Sequence, residues 1–216
     1  MDIVSLFSNL VYSAVPMVLA ITLREPARGW MAKKLGDSTA YREGRVTLDP
    51  LSHVDLNGTI IFPLAMFLIT QGTFLFGWAK PLNINESTFK NYKRDNILLA
   101  LTGPATNFIM ALVWLIAFYA LQSTGSTLPL IEGLTIMSKV GIFLNLSFMA
   151  FTLLPLLPLD GGKIVKTLLP LKQAVQYAKM EPYGFLIIML LAVLGITGLF
   201  TTPIINGATT LLINTF

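Results

Sequence analysis

Apolar residues run almost unbroken over positions 3–23, 59–77, 96–121, 135–158 and 183–201, and the polar residues collect between these runs. Since about 20 apolar residues span a bilayer, runs of this length predict membrane-embedded helices. Pro16 lies inside the first run and predicts a kink that neighbouring helices must accommodate. The second run is broken by Pro63 and Gly72 and ends at Trp78, a residue suited to an interface anchor. Residues 31–37 predict a short helix, and the turn chemistry of Leu48-Asp49-Pro50 and Asp55-Leu56-Asn57-Gly58 predicts a loop after it. In the stretch 163–181, Lys163, Lys166, Lys172 and Lys179 stand among leucines and valines, the pattern of one amphipathic interfacial helix. The tail after Pro203 is apolar but too short to cross. The whole pattern predicts an all-α polytopic membrane protein: a bundle of about four to six transmembrane or re-entrant segments with a small irregular or β-containing insertion, in a single membrane domain over residues 1–216.

Composition sharpens this picture. With 54% hydrophobic and 12% charged residues the chain is an integral membrane protein rather than an ordinary soluble domain. There is no Cys, which excludes disulfides, thiolate ligands and a Cys nucleophile; His53 is the sole histidine, so any metal site would be built almost wholly from carboxylates. The start Met1-Asp2-Ile3 has no basic region before a run longer than a signal peptide's apolar core, so the first helix is expected to stay in the membrane. Lys and Arg gather in the loops 24–55, 78–95 and 160–181 and are absent from 122–134, which assigns orientation rather than nucleic-acid binding. If those three loops share the cytoplasmic side, the run 59–77 begins and ends there, so either it is re-entrant or the positive-inside rule fails at it.

The stretch Ile21-Thr22-Leu23-Arg24-Glu25-Pro26-Ala27-Arg28 carries the strongest chemical signal. A helix continuing through it sets Arg24 and Arg28 four residues apart on one face with Glu25 beside them. Ionisable groups at bilayer depth are costly and mark a site; arginines at the foot of a helix also snorkel to headgroups as plain anchors. No internal repeat, nucleophile elbow or nucleotide-binding glycine loop is present.

Several further motifs stand in order: Leu35-Gly36-Asp37-Ser38-Thr39-Ala40, Gly44-Arg45-Val46-Thr47-Leu48-Asp49-Pro50 leading to His53-Val54-Asp55, Gly58-Thr59, Phe76-Gly77-Trp78-Ala79-Lys80-Pro81, Gly103-Pro104-Ala105-Thr106-Asn107 and Leu159-Asp160-Gly161-Gly162. In this order the chain resembles the short bacterial site-2 proteases, intramembrane zinc metalloproteases, over residues 21–184. In that family an H-E-x-x-H helix supplies two zinc-binding His and a general-base Glu, and a later Asp-Gly motif supplies the third ligand. The resemblance places Glu25 at the general-base position, Asp160 at the third-ligand position, and Arg24 and Arg28 at the two His positions. Arginine stays protonated and has no lone pair for zinc. Zinc therefore belongs to the family, and no cofactor is expected in this sequence. Pro26 inside the motif helix, Thr152 in place of an Asn and Leu157 in place of a Pro are further departures.

The expectation is a buried cluster in which Arg24 and Arg28 replace the metal's charge and Asp160 and Glu25 are their counter-ions. Asn107 and Asn145 either line a substrate groove, as the resemblance implies, or join helices by hydrogen bonds. His53 is read as structural. The leading function is a site-2-protease-like protein without zinc or proteolysis that binds or regulates membrane proteins. Its partners would be the lipid bilayer and transmembrane segments, without nucleic acid, in a bacterial inner membrane as the resemblance implies. Two other readings stay open: an active metallopeptidase recruiting metal through Glu25, Asp160 and a distant acid such as Asp37 or Asp49, and a small transporter or channel whose arginines attract anions.

Overall fold

A computed structural model describes residues 3–69 and 77–215. Among the described residues ten α-helices follow one another: α1 (Ile3–Thr22), α2 (Arg24–Leu35), α3 (Thr39–Arg42), α4 (Phe62–Ile69), α5 (Tyr92–Ser123), α6 (Pro129–Thr152), α7 (Asp160–Leu168), α8 (Leu171–Ala178), α9 (Glu181–Val193) and α10 (Ile196–Thr215). No strand occurs among the described residues. The protein is therefore all-α, and among the described residues three helices are long and apolar enough to cross a membrane: Leu10–Leu35, Tyr92–Ser123 and Pro129–Thr152. A fourth crossing is available if α9 and α10, bent by 79° at their junction, act as one broken span.

The first crossing joins α1 to α2 through a single break at Leu23. That break explains how Pro26 is tolerated. The new helix begins at Arg24, so Pro26 lies in its first turn, where a backbone N–H has no intrahelical partner to lose. The helix then runs on to Leu35, and the short helix expected over residues 31–37 is its continuation.

Helix α6 lies at the centre, packed on α1, α5 and α10. Its contact with α1 buries Met17, Ala20 and Ile21 against Leu144 and Phe148, with Ala79 reaching in from the loop. Small and large side chains interleave there, which is how membrane helices gain dispersion contact without a hydrophobic driving force. Asn107 on α5 adds a polar tie: its amide donates to the Ala20 carbonyl at 3.0 Å and to Asn145 Oδ1 at 3.1 Å, and Asn145 donates to the Gly141 carbonyl at 2.8 Å.

Several element boundaries differ from the sequence expectation, mostly at prolines. The run expected over 135–158 begins earlier, at Pro129, and stops at Thr152; with Pro155 and Pro158 following, the chain turns instead of continuing the helix. The single amphipathic helix expected over 163–181 is two, α7 and α8, parted at Leu169-Pro170. The span expected over 183–201 is broken between α9 and α10, and the tail after Pro203 belongs to α10. Whether 59–77 spans or re-enters turns on positions 70–76, Gly72 among them, which lie outside the described residues. Its described beginning is a π-helical turn, Leu56–Ile61, leading into α4.

Of the two forms expected for the segment between α2 and α5, the irregular one is found, held by carboxylates. Asp37 is buried and accepts three bonds, from the Thr39 hydroxyl at 2.5 Å, the Thr39 amide at 2.9 Å and the Asn85 amide at 2.8 Å. Asp49 caps the turn Pro50–His53 through the Leu51 amide, and Asp55 caps Leu56–Ile61 through the Gly58 amide. Burial works against the charged form of Asp37, but the Thr39 and Asn85 bonds and the nearby Arg42 charge outweigh it and hold the carboxyl below its ordinary value. Its stabilising contribution is then present above the unfolded-state pKa of about 3.9 and is lost as pH falls through the lower folded value. Asp37→Asn should therefore cost about 1–2 kcal/mol at neutral pH. It should also flatten the acid limb of a thermal-stability profile in detergent below about pH 4.

Candidate ion-pair site in the membrane cavity

The helix restart at Leu23 turns Arg24, Glu25 and Arg28 toward the start of α7, and all three side chains line one cavity with Asp160. Asp160 is the first residue of α7, where unpaired backbone N–H groups and the helix dipole favour a carboxylate. Gly161, just after it, packs directly on the Leu153 and Leu154 carbonyls of the preceding turn, a place that a Cβ would occupy. That close approach brings the Asp160 carboxylate up to α2.

Arg24 Nη2 donates to Asp160 Oδ2 at 2.5 Å, and Asp160 is only 3% exposed. Gly103 on α5 leaves the room: a Cβ there would sit 2.8 Å from Arg24 Nη2 and 3.0 Å from Asp160 Oδ2. Arg28 Nη1 faces Glu25 Oε1 at 3.5 Å, a looser contact one helical turn along. Arg24 Nε, Arg28 Nε and Glu25 Oε2 are buried without a hydrogen-bond partner. The expected Arg–carboxylate cluster is present in its pairings. It consists of one tight pair between helices and one loose pair within α2, not a shared bidentate network.

Lys163 joins them. It lies three residues after Asp160, one turn along α7, and lines the same cavity half-buried. Burial, followed by repulsion from Arg28, pushes its ammonium below the usual lysine range; Arg24 adds to this, and Asp160 and Glu25 only partly oppose it. Sequence reasoning assigned Lys163 to an interfacial face and missed it as a site residue. Its spacing from Asp160 was the available signal.

The cavity has a volume of about 570 Å³. Its remaining wall is mainly apolar, with Ile21, Phe148, Trp78 and Phe185 prominent. Trp78 packs edge-on to Phe185 at 6.0 Å and tilted against Phe62 at 5.2 Å, so it shapes the cavity as well as showing partial exposure. The segment carrying it is fixed by backbone bonds from Trp78 to Gly58 and from Lys80 to His53.

Other sequence candidates lie elsewhere. Asn107 and Asn145 are fully buried in the α1–α5–α6 contact and do not line the cavity, so the helix-joining role is the one their geometry has: Asn107 donates to Ala20 on α1 and to Asn145 Oδ1 on α6, while the Asn145 amide N–H donates to Gly141 within α6. His53 is fully buried with Nε2 at 2.9 Å from the Thr47 carbonyl, and because a carbonyl can only accept, Nε2 carries the proton. Asp37 and Asp49 are spent on turns.

Zinc needs three protein ligands with available lone pairs. Among the described residues no group of three His, Cys, Asp or Glu comes together. The cavity offers two carboxylates, each facing a guanidinium. This donor set does not fit zinc.

Fold and site together define a multi-pass helical membrane protein with an ion-paired, largely apolar cavity between its helices. Over 198 residues, covering 91% of this chain and 86% of the relative, it is 31% identical to the protein of Bacillus subtilis (strain 168) named "Putative zinc metalloprotease YwhC". The chain belongs to that metalloprotease family. No family model matches the sequence, and no solved structure matches it.

The tight pair makes a quantitative expectation. Asp160→Leu strands a half-buried guanidinium and should cost up to about 3 kcal/mol in reversible unfolding, the low end for a buried pair; joined to Arg24→Met, most of that loss should return, because removing both charges also removes the desolvation penalty.

Proposed function

We propose that this protein is a site-2-type metalloprotease homologue without zinc or hydrolytic activity, which retains the cavity to hold membrane-embedded segments of other proteins. The observation that carries the proposal is the Arg24–Asp160 bond, because it commits the residue at the third-ligand position to a guanidinium from one of the two His positions.

The exchange is electrostatically reasonable. A Zn²⁺ ion with two neutral His and one Asp carries about one net positive charge, and Arg24, Arg28 and Asp160 carry the same. The surrounding helices thus meet a similar field with or without the metal, and Asp160 keeps a counter-charge. Glu25 stands at the general-base position, but a carboxylate facing Arg28 and lacking a metal-activated water has no nucleophile to generate. The apolar wall with Trp78 and Phe185 suits a hydrophobic segment. The metal-recruiting alternative is disfavoured because Asp37 and Asp49 already serve as acceptors in turns.

Detergent-purified protein incubated with a model transmembrane substrate is expected to give no cleavage, with the original chain and Glu25→Gln indistinguishable. Hydrolysis by the original chain that disappears in Glu25→Gln would refute the reading.

A further inference from the structure

Three cations, Arg24, Arg28 and Lys163, face two carboxylates, Glu25 and Asp160, across the cavity, so one positive charge is uncompensated. The pairing already described identifies it. Arg24 is bound to Asp160, and Arg28 holds Glu25 loosely with its Nε unpartnered. The Lys163 ammonium has no hydrogen bond or ion pair among the described residues. Arg28 and Lys163 line the same space, and as like charges they repel each other there. A half-buried ammonium without a counter-ion beside a partly satisfied guanidinium is an unfavourable arrangement that an anion would relieve.

We infer that the cavity binds a carboxylate borne at the end of an apolar chain, seated between Arg28 and Lys163 with its chain along Trp78, Phe185 and Phe148. The inference rests on the metal-free reading of the site. One negative charge neutralises the cavity. A dianion would leave it net negative beside Glu25, whose Oε2 is buried and unpartnered. A carboxylate also matches the planar fork of a guanidinium while Lys163 supplies a point charge. The volume of about 570 Å³ suits a ligand of modest size. Two sources carry this chemistry, a fatty acid and the free C-terminus of a hydrophobic peptide.

Calorimetric titration in a constant detergent background tests it, with decanoate against decanamide and with one hydrophobic peptide as free acid against its C-terminal amide. Binding of either acid about tenfold tighter than its neutral twin, weakened to the level of that twin in Lys163→Gln and kept in Lys163→Arg, is the expected result. The acid with the larger preference identifies the source. Equal binding of acid and neutral twin in both pairs, or a preference undiminished in Lys163→Gln with its thermal stability intact, would overturn the inference. Substrate cleavage by the same preparation would instead count against the metal-free reading, so the two can fail separately.

Discussion

A half-buried guanidinium bonded to a buried carboxylate between two helices forms the constraint on which this structure turns. Arg24 on α2 and Asp160 on α7 are 136 positions apart in the chain, and neither could be held at this depth alone without a large desolvation cost. Their meeting requires the break at Leu23, the bare surface of Gly103 and the tight seat of Gly161 on the preceding turn. Each feature is hard to account for by itself. Taken together they describe a cradle that holds an ion pair between α2 and α7.

The irregular segment between α2 and α5 serves that cradle from the side. Asp37, Asp49 and Asp55 accept backbone N–H groups that no helix satisfies, and His53 binds the Thr47 carbonyl while its own carbonyl receives the Lys80 amide. Polar residues here replace the regular hydrogen bonding a sheet would provide. The product is a fixed path for Gly77, Trp78 and Ala79 along one wall of the cavity. Charges in this segment belong to architecture, and those facing the cavity belong to the site.

Much of the fold was legible because hydropathy over some 20 residues is a strong signal, and the helices over Tyr92–Ser123 and Pro129–Thr152 lie close to the runs that announce them. The ends were less legible. A proline tells where a helix cannot continue, but whether Pro26 falls inside a helix or in the first turn of a new one depends on packing that the sequence does not display. The pairing of Arg24 with Asp160 could be anticipated only through the resemblance, since nothing local links residues so distant. Lys163 was hidden for a different reason. Four lysines shared one amphipathic pattern, and the split at Leu169-Pro170 aims α7 into the bundle where a single helix would have lain along the interface. Asn107 and Asn145 allowed two readings, a groove implied by the resemblance and a tie between helices, and the hydrogen bonds they make are those of the tie.

The central question is whether an arginine pair stands where a metal would otherwise bind. Mass-spectrometric metal analysis of detergent-purified protein, beside an Arg24→His/Arg28→His variant, addresses this directly. Zinc far below stoichiometry is expected in the original chain and about one zinc per chain in the variant, where two imidazoles join Asp160. Stoichiometric, chelator-removable zinc in the original chain would contradict the metal-free reading.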